Sequence, residues 1–189
     1  YVHLLSPHPT YHISVFCFFV FTIPRPPRAT LSSSSAASSL YKRQVLAFLR
    51  TQARNASWMT SVCTGALVLG AAGLLCGHNA TTHWLSRDLL ALFGAVSVLQ
   101  RVVVDGNRIT AAGVTSGIDM ALMLAGVLWG DDVAQSIQLN MEYDPQPPYP
   151  AGAPETAPPH IVAAAREQGA ARQAERRKAA PVAAGRLAP

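Results

Sequence analysis

The sequence predicts an α/β domain built on a parallel sheet, and three observations carry that prediction. A short apolar run, "SWMTSV" (57–62), passes directly into a stretch of small and aliphatic residues, "TGALVLGAAGLLCG" (64–77). Strand-like and helix-like segments go on alternating after it, the pattern of helices covering a parallel sheet. Half of the 189 residues are hydrophobic, enough for one domain with a real core. A doubly wound sheet usually has about five strands. Only one strong strand–helix unit precedes the first hairpin, so the sheet is expected to be short on its N-terminal side.

Each element follows from local pattern. "YKRQVLAFLRTQA" sets Val45, Leu46 and Leu49 on one face among Lys42, Arg43, Arg50 and Arg54, which predicts an amphipathic helix. "SWMTSV" reads as a buried strand, and 64–77 as a helix stopped by Gly77. "ATTHW" (80–84) reads as a short strand. "SRDLLALFG" (86–94) reads as a helix with Ser86 as its N-cap. In "LQRVVVDGNRITAAG" (99–113), β-branched residues flank Asp105-Gly106-Asn107, a strong hairpin signal. "SGIDMALMLAGVLWG" (116–130) reads as a buried helix, its Met and Leu stripe as core, and Ser116 and Asp119 have capping-box-like spacing. "DDVAQSIQLNMEY" (131–143) follows as a helix with two acids in its first turn, where the macrodipole favours them. A Pro-rich arm comes next, then a tail from 161 that reads as a loose helix. There is no internal repeat.

The first 40 residues differ from the rest. "HISVFCFFVFTI" is an apolar run of about a dozen residues, short of the ~20 a membrane span needs, with no starting Met or basic region before it. "PRPPRATLSSSSAASS" has linker composition. Residues 1–40 are therefore expected to be foreign to the domain or disordered, 41–160 to form the α/β domain, and 161–189 to be a basic tail.

Charge is distributed unevenly. Residues 1–54 hold six Lys/Arg and no acid, residues 55–159 hold three Arg against eight acids, and residues 160–189 hold six Lys/Arg and two Glu. A nucleic-acid module carries its cations on the folded face; here the predicted domain is acidic, so neither nucleic acid nor membrane is expected as a partner. Cys17, Cys63 and Cys76 lack CxxC spacing and suit reduced thiols in a cytoplasmic protein. The sequons at Asn55 and Asn79 are taken as chance matches. No His/Cys/Asp/Glu cluster has metal spacing, and no GxGxxG or P-loop occurs.

Cys63 sits where the strand becomes the helix. A sharp turn there would expose its side chain at the carboxyl end of the sheet, where open α/β sheets bind ligands. The first helical N–H groups and the positive dipole end favour a thiolate. The Thr64 N–H can stabilise charge developing on a substrate atom, and Gly65 allows close packing of the helix. This is the logic of a nucleophile elbow with Cys in place of Ser. A buried structural thiol is the other reading of the same residue.

"SVCTGALVLGAAGLL", "ATTHW", "DGNRITAAGVTSGIDMALML" and "QLNMEYDPQPPY" together resemble the ThiJ/PfpI superfamily of class I glutamine amidotransferase-like domains. The likeness covers about residues 42–165, and the Pro-rich ending is most similar to the isonitrile (isocyanide) hydratase branch. The amidotransferase-like sensor half of AraC-type regulators is also similar, but only about 45 residues follow Tyr143, too few for its DNA-binding half. The resemblance implies a flavodoxin-like parallel sheet with a nucleophile elbow, incomplete on its N-terminal side. It implies Cys63 as nucleophile, Thr64 as its catalytic neighbour, and Gly65 and His83 as supporting residues. It further implies no cofactor or metal, a small-molecule isonitrile as substrate, and a cytoplasmic homodimer. The alternative is a non-catalytic sensor or binding domain. In the hydratases a carboxylate from the first strand–loop region moves protons; here no Asp or Glu precedes Asp88.

Other candidates have plainer readings. His83 could approach the nucleophile or be a hydrogen-bonded structural residue. Asp119 reads as a cap or dipole partner rather than a replacement acid. Cys76, Trp58, Trp84 and Trp129 read as packing residues.

Overall fold

The computed structural model describes residues 15–18 and 35–187. In chain order the elements are β1 (Val15–Phe18), α1 (Ser35–Ala53), β2 (Trp58–Val62), α2 (Gly65–Ala71), β3 (Asn79–Ala80), a 3-10 helix (Trp84–Phe93), β4 (Val96–Ser97), β5 (Val102–Asp105), β6 (Arg108–Ala111), α3 (Ser116–Trp129), α4 (Asp131–Asn140) and α5 (Pro159–Ala184).

The main sheet has the order β1-β2-β6-β5. β1 and β6 flank β2 in parallel, with Val15 and Arg108 opposite Trp58 and Met59 respectively. β5 pairs antiparallel with β6, Val104 opposite Ile109, as the hairpin signal at Gly106-Asn107 predicts. Gly106 has φ +58°, which such a two-residue turn requires. β2 is central, and Met59 through Val62 are all buried, the hydroxyl residues Thr60 and Ser61 included, as in a strand covered on both faces. Alternation along β6 separates two layers. Ile109 and Ala111 join Val62, Met120 and Leu124 in a core under α3. Thr110 faces the other way, accepting from the Thr81 N–H at 2.9 Å. On that side Leu49 of α1 packs with Ala66 and Leu69 of α2, Leu75 and Leu90.

Several boundaries differ from the sequence expectation. β1 falls inside the first 40 residues, in the Val-Phe-Cys-Phe part of the apolar run, and α1 starts at Ser35 rather than Tyr41. The Pro- and Ser-rich stretch 24–34 lies outside the described residues. α2 ends at Ala71, not near Gly77. Gly73 turns left-handed at φ +76° just after it, and Arg50 donates from Nε to the Ala72 carbonyl at 3.0 Å and from Nη2 to that of Ala71 at 3.4 Å. A cation from another helix thus satisfies carbonyls that the helix end leaves open.

"ATTHW" is a strand only at Asn79–Ala80, paired with β4 in a separate two-stranded ribbon. The segment after it starts at Trp84 with His83 as N-cap; Nδ1 of His83 accepts from the Leu85 N–H at 3.3 Å. Ser86, expected as that cap, is fully buried and paired with Gln173 of α5. Thr115, whose side chain caps no backbone N–H of the helix, precedes α3, so the Ser116/Asp119 capping box does not form. Met120 and Leu124 of the α3 stripe are core, yet Met123, Val127 and Trp129 are exposed, and α4 buries no residue. Cys76, expected in the core, is exposed. The tail is a docked helix of 26 residues whose Gly169, Gln173 and Ala180 are buried. Among the described residues no helix is long and apolar enough to cross a membrane.

Candidate functional site

β2 runs into Cys63, whose backbone leaves the strand at φ +57°. A non-glycine residue in this left-handed region is uncommon and costs about 1–2 kcal/mol, so its neighbours must hold it there. The Cys63 N–H donates to the Ala111 carbonyl at 2.9 Å, extending the β2–β6 pairing by one residue. Its carbonyl accepts from the hydroxyl of Thr82, itself fully buried, at 2.7 Å. Thr64 then takes helical dihedrals (φ −70°, ψ 0°), and buried Gly65 opens α2. A sharp strand-to-helix turn at the carboxyl ends of β2 and β6 results, at the brink of an open sheet where ligands bind. The Cys63 side chain is half-buried, packed against the cluster of Val62, Ala111 and Met120.

His83 follows directly after Thr82, the residue whose hydroxyl secures the elbow. The ring is committed elsewhere. Nδ1 accepts the Leu85 N–H, which leaves the neutral ring's proton on Nε2. Burial first, then the cations of Arg176 and Arg172, hold the imidazole below its ordinary value. Among the described residues no hydrogen bond joins His83 to Cys63.

A second polar group lies beside the same sheet end. The Arg101 carbonyl accepts the Ala112 N–H at 2.9 Å, one residue beyond the carbonyl bonded to Cys63. The Arg101 side chain pairs with Asp119 and donates to Thr115 Oγ1 at 3.3 Å, while Tyr143 donates to Asp119 Oδ1 at 2.8 Å. That hydrogen bond holds the Tyr143 phenol above its ordinary value. Asp119 is therefore the centre of a latch between the approach to β5, the first turn of α3 and the segment after α4, rather than a cap. Sequence reading missed Thr82, Arg101 and Tyr143. The doubled threonine of "TTHW" was the available signal for Thr82; nothing local linked Arg101 to Tyr143. No three His, Cys, Asp or Glu side chains among the described residues converge to hold a metal ion.

Residues 34–126 match the DJ-1/PfpI family. Over 127 residues the chain is 56% identical to an isonitrile hydratase of Pseudomonas putida, covering 67% of this chain and 56% of that protein. Over 104 residues it is 34% identical to the HTH-type transcriptional regulator GbdR of Pseudomonas aeruginosa, covering 54% of this chain and 28% of the regulator. The crystal structure of a ThiJ/PfpI family protein from Pseudomonas syringae superposes with a TM-score of 0.71 at 45% identity, over 78% of this chain and 60% of that one. The chain thus spans less than two thirds of each of these relatives.

Proposed function

Residues 34–126 belong to the DJ-1/PfpI family, and from that premise we propose an isonitrile hydratase-like domain with Cys63 as its nucleophile. The observation that carries the reading is the left-handed Cys63 turn between β2 and α2, held by Ala111 and Thr82. Strain at one reactive residue persists where surrounding structure over-determines it, and such residues cluster at active sites. The Cys63 thiolate attacks the terminal carbon of R–N≡C, and a proton joins that carbon, giving a thioimidate. Water adds to the same carbon, the thiolate leaves, and R–NH–CHO is released. The Thr64 N–H serves the charge that develops during attack. Gly65 lets α2 start at the turn, and His83 supports the elbow from beside Thr82. The steps require neither cofactor nor metal.

The chemistry calls for a positioned acid, a group that contributes typically ~10²–10⁴-fold. The similarity to GbdR favours a second reading, a binding or sensor domain that keeps the elbow without the chemistry. Incubating the protein with a simple alkyl isonitrile and following the formamide proton by NMR separates the two. Turnover abolished by Cys63→Ala supports the hydratase. Turnover unchanged by it refutes the nucleophile assignment, and isonitrile binding without turnover supports the second reading.

The same reading makes the protein a cytoplasmic homodimer. The exposed row of Met123, Val127 and Trp129 on α3, with Val133 and Ile137 on α4, supports a contact there, since contiguous apolar surface marks association sites. Sedimentation velocity is expected to show a dimer that Val127→Glu shifts to monomer.

A further inference from the structure

Cys63 and Ala112 stand side by side where β2 and β6 end. Val62 lies opposite Ala111 in the parallel register, and the Cys63 N–H donates to the Ala111 carbonyl at 2.9 Å. From Ala112 the chain leaves the sheet and enters α3 at Ser116. The Cys63 side chain packs against the cluster that holds Met120 and Leu124 of α3, so it lies on the face that α3 covers. The 112–115 loop climbs on that same face. Loops at the carboxyl ends of neighbouring strands wall the crevice in which open α/β sheets bind ligands.

One residue holds this loop at both ends. The Arg101 carbonyl accepts the Ala112 N–H at 2.9 Å, and Arg101 Nη2 donates to Thr115 Oγ1 at 3.3 Å. Arg101 Nε donates to Asp119 Oδ2 in the first turn of α3, and Asp119 Oδ1 accepts from the Tyr143 hydroxyl at 2.8 Å. An isolated exposed ion pair contributes little. Arg101 does more than pair, because its planar fork spends two donors on two positions while β6 fixes its main chain. Between the two anchors Val114 is 72% exposed, so hydrogen bonds rather than core packing fix this stretch.

We propose that Arg101 is a positioning residue that clasps the 112–115 loop as one wall of the Cys63 cleft, and so limits the bulk of the electrophile the thiol accepts. The inference rests on Cys63 as the nucleophile of the site. Asp119 and Tyr143 act behind Arg101 by holding its guanidinium in place.

The test compares alkylation by iodoacetamide and by N-phenyliodoacetamide, which share a leaving group and differ in bulk. Rates at Cys63 and at exposed Cys76 are read separately by peptide mass spectrometry. In the parent protein the bulky-to-small rate ratio is expected to be lower at Cys63 than at Cys76. Thr115→Val and Arg101→Gln each remove a hydrogen bond of the clasp and are expected to raise the Cys63 ratio about three- to tenfold. Thr115→Ser keeps the hydroxyl and is expected to match the parent, and the Cys76 ratio is expected to stay constant throughout. Gln173→Leu, which loosens the distant α5 contact, is the control for general destabilisation, and far-UV circular dichroism establishes that each variant is folded. Equal ratios at the two thiols of the parent, a parent-like Cys63 ratio in both Thr115→Val and Arg101→Gln, or the same rise in Gln173→Leu would overturn the clasp. Neither probe contains an isonitrile, so absence of isonitrile turnover counts against the hydratase reading alone. A Cys63 that neither probe labels overturns both.

Discussion

At the scale of single residues, Cys63 and His83 carry opposite kinds of constraint. The Cys63 backbone is held at φ +57° by one strand partner and one buried hydroxyl. Glycine accepts that conformation without the Cβ penalty and alanine does not. Cys63→Gly is therefore expected to be more stable than Cys63→Ala by about 0.5–1 kcal/mol in urea unfolding. Equal stability would show that the turn relaxes when the thiol is removed. His83 is constrained through its charge. Burial, Arg176 and Arg172 hold its folded value below the ordinary 6.5, so the unfolded chain binds the proton more readily and stability rises with pH. The contribution of neutral His83 is present above about 6.5 and is lost as pH falls through the lower folded value. Melting temperatures between pH 8 and 5 should fall more steeply for the parent protein than for His83→Gln.

At the scale of elements, contacts between helices decide positions that local pattern leaves open. α2 meets the 3-10 helix at Gly70, where an added Cβ would lie 2.8–3.0 Å from Cδ2, Cγ and Cβ of buried Phe93. Helix propensity favours Ala over Gly by about 1 kcal/mol, but overpacking costs about 1–3. The Phe93 Cβ cannot swing away as a ring edge can. Gly70→Ala is expected to destabilise by about 1–2 kcal/mol net, read as a lower denaturation midpoint with an unchanged slope. The α5 contact has a polar counterpart. Gln173→Leu leaves the Ser86 hydroxyl buried without its partner, at a cost of about 1–3 kcal/mol. Adding Ser86→Ala should recover part of that loss, and an additive double variant would mean that the two side chains act independently.

At the scale of the whole molecule, the sheet brings together parts of the chain that local sequence cannot connect. Its central strand was legible because a strand covered on both faces is built of small, apolar and β-branched residues, as Trp-Met-Thr-Ser-Val is. The hairpin was legible because its turn needs the Asp-Gly-Asn chemistry. The exposed apolar row on α3 was not. Its composition is that of a core helix, and only the packing shows that Met120 and Leu124 face the sheet while Val127 and Trp129 face out. The tail's apolar residues are mostly alanine, which locally predicts only a loose helix; the Ser86–Gln173 bonds that dock it join residues 87 positions apart.

The sequence by itself determined the α/β class, the strand-to-helix step at Cys63 and the residue types around it, because these depend on periodicity and on neighbours within a few positions. Tertiary structure alone decided what surrounds that step. Thr82 caps the Cys63 carbonyl because β3 lies over the face of the sheet that carries Thr110. Asp119 became a latch because Arg101 and Tyr143 converge on it from opposite sides in sequence. Ser86 lost its capping role because a buried hydroxyl needs a partner, and α5 supplies Gln173. Each outcome turns on a hydrogen-bonding group finding its partner across the fold, and no local periodicity encodes such a pairing.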